Sequence, residues 1–105
     1  MAVRTFAAID VGSFELELGI YEMSYKTGIQ RIDHVRHVIA LGRDTYSTGK
    51  ISYGLVEEMC QVLEEFVQIM KSYKVRDYRA YATSAMREAH NRQIILDQIR
   101  VRTGL

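Results

Sequence analysis

The period of the apolar positions changes along the chain, and each change marks an element. Thr5 to Ile9 is a short, mostly apolar run followed at once by Asp10-Val11-Gly12-Ser13, where glycine permits a tight reversal, so the pattern predicts a buried strand and then a turn. Leu16, Leu18 and Ile20 then alternate with Glu15, Glu17, Gly19 and Tyr21, the period of a strand with one face on a core. Lys26-Thr27-Gly28 reads as a hairpin tip. Ile29 to Leu41 is rich in Ile and Val, but Ile32 and Val35 fall out of phase, which predicts a bulge or an edge position. These segments make three consecutive antiparallel strands.

Gly42 to Ile51 carries Gly42, Asp44, Ser47, Thr48 and Gly49 and reads as a loop by composition. Ser52 is placed to cap a long helix, in which Leu55, Met59, Leu63, Phe66, Met70 and Tyr73 recur at helical spacing as one apolar stripe. Glu57 and Glu58 near its start and Lys71 and Lys74 at its end suit the helix dipole. A fourth strand, Tyr78 to Thr83, follows, then a short helix. Asn91 caps a last helix with Ile95, Leu96 and Ile99 apolar and Gly104 in the position after its end. The expected order is strand, strand, strand, helix, strand, helix: an α/β fold with helices packed on a mixed sheet.

With 105 residues, 48% of them hydrophobic, the chain can build one core and not two independent domains. A net charge of +1, from 14 basic and 13 acidic side chains spread along the sequence, gives no footprint of a nucleic-acid or membrane-surface binder. The seven tyrosines are scattered without a basic stripe, so they read as packing residues rather than a base-stacking platform. No signal-peptide core precedes Asp10 and no segment approaches the ~20 apolar residues that cross a bilayer, which predicts a cytoplasmic protein. The single cysteine, Cys60, sits among Met59, Val62 and Leu63 and reads as a small buried hydrophobe.

The candidate chemistry concentrates at Ala82 to Asn91, Ala-Thr-Ser-Ala-Met-Arg-Glu-Ala-His-Asn, where a strand meets a helix. Free amides and the positive end of a helix dipole converge at such a junction, and Ser84 and Arg87, three residues apart, share one helical face. Thr83, Ser84 and Arg87 thus form a candidate anion cradle. Asp10 reads either as a turn-capping carboxylate or as a metal ligand. His34 and His37 are three apart on a strand and face opposite sides, so they are poor co-ligands, and His90 reads as a solvent-facing polar residue. Gly49-Lys50 has the form of a P-loop end, but Asp44 occupies the place of the first glycine and Ile51 stands where Ser or Thr must reach the metal.

Asp10-Val11-Gly12-Ser13, Leu41-Gly42, Gly49-Lys50-Ile51-Ser52 and the decapeptide Ala82 to Asn91 together resemble the exopolyphosphatase/guanosine pentaphosphate phosphatase family, within the actin-like, ribonuclease H-like superfamily. The resemblance spans nearly the whole chain, and the decapeptide is its most specific part. It implies that residues 1–105 are the N-terminal lobe of a hydrolase that releases terminal phosphate from polyphosphate or guanosine penta- or tetraphosphate with a divalent ion, magnesium or similar. Carried over by position, Gly12 and Ser13 offer backbone and hydroxyl contacts to phosphate oxygens, Asp10 holds the metal or its waters, and Thr83, Ser84 and Arg87 grip the phosphate from the other side. Such roles suit phosphoryl transfer, which depends on positioning and on neutralising oxygens. No catalytic residue falls inside this chain on that reading, because the water-activating glutamate is expected beyond Leu105. The fragment alone is then inactive, and the lobe leaves an apolar face uncovered that favours a homodimer.

Two departures bear on activity. The family continues the first motif with Asn-Ser where this chain has Phe14-Glu15, and it commonly has arginine where Ala40 stands. A carboxylate at Glu15 facing the site would repel a polyanion. The alternative reading is therefore a degenerate relative that senses a phosphorylated ligand without turnover.

Overall fold

The computed structural model describes residues 3–105. The alternation of residues 15–21 is realised as expected: β1 (Arg4–Val11) pairs antiparallel with β2 (Glu15–Ser24) so that Ala7, Ile9 and Val11 lie opposite Ile20, Leu18 and Leu16 on one buried face. β2 pairs antiparallel with β3 (Gly28–Val38) through a turn whose Gly28 has φ 71°, a conformation only glycine adopts without cost. The chain then passes through α1 (Leu41–Thr48) and α2 (Tyr53–Ser72) and returns as β4 (Asp77–Ala82), parallel to β1. α3 (Ser84–Arg87) and α4 (Arg92–Thr103) complete the order, and the sheet runs β3-β2-β1-β4.

The expected irregularity of the third strand is a bulge. Ile20 faces Asp33 and Tyr21 faces Arg31, leaving Ile32 without a partner. Past the bulge, Asp33 and His37 point toward α2. Asp33 accepts a hydrogen bond from the Tyr73 hydroxyl at 2.7 Å, and His37 Nε2 lies 2.7 Å from Glu58. The Tyr73–Asp33 bond holds the Asp33 carboxyl below its ordinary range and raises the Tyr73 phenol. His34 turns to the opposite face, 3.2 Å from Glu17, so the two histidines do point apart.

Ser52 caps α2 as expected, its hydroxyl accepting from the Leu55 amide at 3.3 Å. Met59, Leu63, Phe66 and Met70 are buried, Val56, Cys60 and Val62 widen the stripe, and Tyr73 ends it half exposed at the C-cap. Burying a side chain such as Phe66 contributes about 1.5–3 kcal/mol. Ile95 and Ile99 of α4 join the same core, and Arg102 bonds Glu57 at 2.7 Å and Glu64 at 2.5 Å, fastening α4 to α2. Cys60 is a buried free thiol, pushed up by its burial.

Three expectations need correction. Residues 42–51 are not a loop, because α1 occupies Leu41–Thr48 and ends at Gly49 with φ 81°. Their composition is poor for a helix, and tertiary contacts supply the stability: Leu41 is fully buried and the Thr45 hydroxyl donates to the Ala85 carbonyl at 2.8 Å. Asn91 stands at the N-cap of α4 but its side chain does not cap it. The Asn91 amide instead bridges Ile51, accepting from its N–H at 3.2 Å and donating to its carbonyl at 2.9 Å. Leu96 is exposed and not part of the core; it lines an apolar groove of about 310 Å³ between β4 and α4.

Candidate functional site

The parallel pairing of β1 and β4 sets Val11 beside Ala82, so the residues after both strands emerge at one end of the sheet. On the β1 side, Gly12 N–H donates to the Glu15 carbonyl at 2.9 Å and closes the turn. The next two carbonyls are also taken: Ser13 accepts from Gly42 N–H at 2.8 Å and Phe14 from Ile39 N–H at 3.0 Å. Three carbonyl oxygens that would repel an anion are thus occupied. The amides of Ser13 and Phe14 donate to no acceptor among the described residues. Gly12 contributes closeness rather than a free donor, since a Cβ there would stand 3.0 Å from the Glu15 oxygen.

On the β4 side, Thr83 fastens the junction to β1, its amide and hydroxyl both donating to the Val11 carbonyl, at 3.0 and 3.3 Å. α3 is a single turn, so its dipole is small, and the donors that matter are its first-turn amides at Ser84, Ala85 and Met86. Buried Ala85 and Met86 hold the turn down. The Ser84 hydroxyl lies 2.5 Å from the Tyr46 hydroxyl. Arg87 is exposed and forms no ion pair among the described residues, and its carbonyl accepts from Arg92 at 2.9 Å. Beyond the turn, His90 N–H donates to the Gly49 carbonyl at 2.7 Å.

α1 joins the two sides. Gly42 approaches the turn so closely that an added Cβ would come within 3.0 Å of Ser13 Cβ and 3.1 Å of the Tyr46 ring. Ser13, Gly42, Tyr46 and Ser84 therefore form a continuous path of contact. Of the expected site residues, Ser13, Thr83 and Ser84 are brought together by these bonds, with Gly12 in the adjoining turn and Arg87 at the end of α3. Tyr46 carries no signal of its own in the sequence, and Gly42 enters there only as a loop residue and within Leu41-Gly42, without a role in the site. Their four-residue spacing and the glycine at position 49 were the available signals, and both depend on reading α1 as a helix.

Asp10 is exposed on the sheet face opposite the core, with Glu17 beside it on β2 and Tyr81 on β4. Glu15 is also on β2, and its charge is paired with Arg36 at 2.5 and 2.9 Å, so Phe14, 63% exposed, is the less compensated departure at the turn. Glu17 is held below the ordinary carboxylate range first by the Glu15 side chain and then by His34. No group of three or more His, Cys, Asp or Glu side chains suited to a metal occurs among the described residues. Magnesium needs few protein ligands when waters and phosphates complete its shell, so the donor set here fits a one-carboxylate contribution from Asp10 and not a preformed cage.

A family model for the Ppx/GppA phosphatase family matches residues 20–105. The chain belongs to the Ppx/GppA phosphatase family. It is 28% identical over 97 residues to Exopolyphosphatase 1 of Mycobacterium tuberculosis strain H37Rv, covering 92% of this chain and 28% of that protein. It is 30% identical over 98 residues to Exopolyphosphatase 1 of Mycobacterium leprae, covering 92% and 29%. The crystal structure of the Aquifex aeolicus family member superposes with a TM-score of 0.94 at 29% identity, over 99% of this chain and 34% of that one. An exopolyphosphatase from Cytophaga hutchinsonii shares the fold with a TM-score of 0.91 at 22% identity, over 97% and 32%. The chain thus spans less than a third of the curated relatives it matches. Its mixed sheet with helices is the actin-like fold of these Ppx/GppA proteins, as the motifs implied. No helix among the described residues is long and apolar enough to cross a membrane.

Proposed function

We propose that this chain forms one side of the phosphate-binding cleft of a phosphoanhydride hydrolase that removes terminal phosphate from inorganic polyphosphate. The observation that carries the reading is the pairing of two donor-rich segments, Ser13-Phe14 and Thr83–Arg87, through the Thr83–Val11 bonds, with the turn carbonyls turned to internal partners. In the reaction, water attacks the terminal phosphorus, the bridging P–O bond breaks, and the electron pair leaves on the shortened chain. The amides and the Ser13 and Ser84 hydroxyls orient the terminal phosphate, and Arg87 offsets the charge on its oxygens. A divalent ion, held partly by Asp10, supplies further charge neutralisation when bound. The proton of the attacking water goes to a base that this chain does not provide. Polyphosphate is favoured over guanosine pentaphosphate by the two named relatives, both exopolyphosphatases.

The test is ligand-dependent stability. With tripolyphosphate and magnesium at a hundred times Kd, the unfolding free energy should rise by about 2.7 kcal/mol, and Arg87→Ala should remove most of that rise. Equal responses in wild type and variant would sink the assignment. Phosphate release from polyphosphate by the 105-residue chain alone should be absent, and turnover would show that the base lies within it. The exposed Phe14 supports the second reading, a phosphate sensor without turnover. Phe14→Asn with Glu15→Ser leaving ligand affinity unchanged would remove that support.

A further inference from the structure

Resting on the phosphate reading above, we propose that Tyr46 is a positioning residue of the cleft: its hydroxyl fixes the Ser84 side chain and directs the Ser84 proton to a phosphate oxygen.

A serine hydroxyl has one proton, two lone pairs and a free rotor, so by itself it presents a donor in no fixed direction. Ser84 Oγ lies 2.5 Å from Tyr46 Oη, and either oxygen can donate. A phosphate oxygen only accepts. Once it binds, Ser84 must give it the proton and take a hydrogen bond from Tyr46 in return, which sets the order Tyr46 to Ser84 to phosphate. Phenols are more acidic than alcohols and donate better, and each bond in such a chain polarises the next.

The surroundings separate this role from ordinary packing. Tyr46 is 56% exposed, so core burial does not account for its place. The neighbouring residue, Thr45, is buried and fastens α1 to α3 through the Ala85 carbonyl, and Leu41 supplies the apolar contact. Two consecutive residues of α1 therefore reach two consecutive residues of α3, one pair structural and one at the cleft. The Tyr46 ring is held in turn over Gly42, whose amide bonds the Ser13 carbonyl, so it stands between the Ser13 and Ser84 sides.

The experiment measures tripolyphosphate affinity with magnesium by calorimetry for wild type, Tyr46→Phe, Ser84→Ala and the double variant. Melting of each without ligand and the Ser84 side-chain rotamer by NMR couplings are followed in parallel. Tyr46→Phe should weaken binding about tenfold or less, the scale of one hydrogen bond, while leaving the unliganded melting unchanged. In the Ser84→Ala background the same change should have no further effect. Ser84 should hold one rotamer in wild type and average in Tyr46→Phe. Binding by wild type with equal affinity in Tyr46→Phe overturns the role of Tyr46 alone. Multiplicative losses in the double variant, or a Ser84 side chain already averaging in wild type, overturn it as well. A wild type that fails to bind tripolyphosphate overturns the phosphate reading, and this proposal with it.

Discussion

The two donor-bearing segments of the proposed site are held by different means. The Gly12–Glu15 turn is tied through its backbone: its carbonyls are spent on Gly12, Ile39 and Gly42 amides, and the Ser13 side chain is free of any hydrogen bond among the described residues. The Thr83–Asn91 segment is tied also through side chains, those of Thr83, Thr45 and Asn91. Backbone ties survive most substitutions, so the turn can change its side chains and keep its shape. Phe14-Glu15 is such a change. The junction has no such latitude, because altering one of its polar side chains removes a support directly.

Breaking the junction should cost most. Asn91→Ala leaves both backbone polar groups of buried Ile51 without their partner, an expected loss of about 2–4 kcal/mol in urea unfolding. A loss near zero would mean that the contrast drawn between the two sides is wrong. Gly42→Ala attacks the turn from outside, through added bulk on α1. Its Cβ meets Ser13 and Tyr46, and the expected cost is about 1–3 kcal/mol, with a weakened response to tripolyphosphate. Glu15→Gln should have the smallest effect on stability, about 0–1 kcal/mol for a partly exposed ion pair, and should tighten tripolyphosphate binding by removing a negative charge near the turn. Weaker binding in that variant would show that Arg36, once released, does not compensate and that the Glu15–Arg36 pair itself shapes the site.

What was legible in the sequence followed from period and from local chemistry. Alternation at Leu16, Leu18 and Ile20, the Ser52 cap, the α2 stripe and the out-of-phase Ile32 each depend on neighbours within a few residues. α1 was missed because its stability is long-range: Thr45 reaches Ala85, forty residues away, and Gly42 reaches Ser13. Asp44 shows the same limit. As a failed P-loop glycine it meant nothing, yet its carboxylate accepts from the Ser52 amide at 2.7 Å and steadies the start of α2. The residues of the proposed site form a motif in the sequence, whereas Tyr46 lies outside it and is set beside Ser84 only by α1.

The bulge at Ile32 has a consequence for how this hairpin can change over time. Because side chains alternate with a period of two, adding or losing one residue ordinarily turns a strand inside out. Here the unpaired Ile32 takes up that slip, and the segments on either side of it keep their own partners on β2. The tip of the hairpin, from Ser24 to Arg31, can therefore lengthen or shorten by a residue while Val35 and His37 stay facing α2, and insertions collected there would leave the cleft untouched.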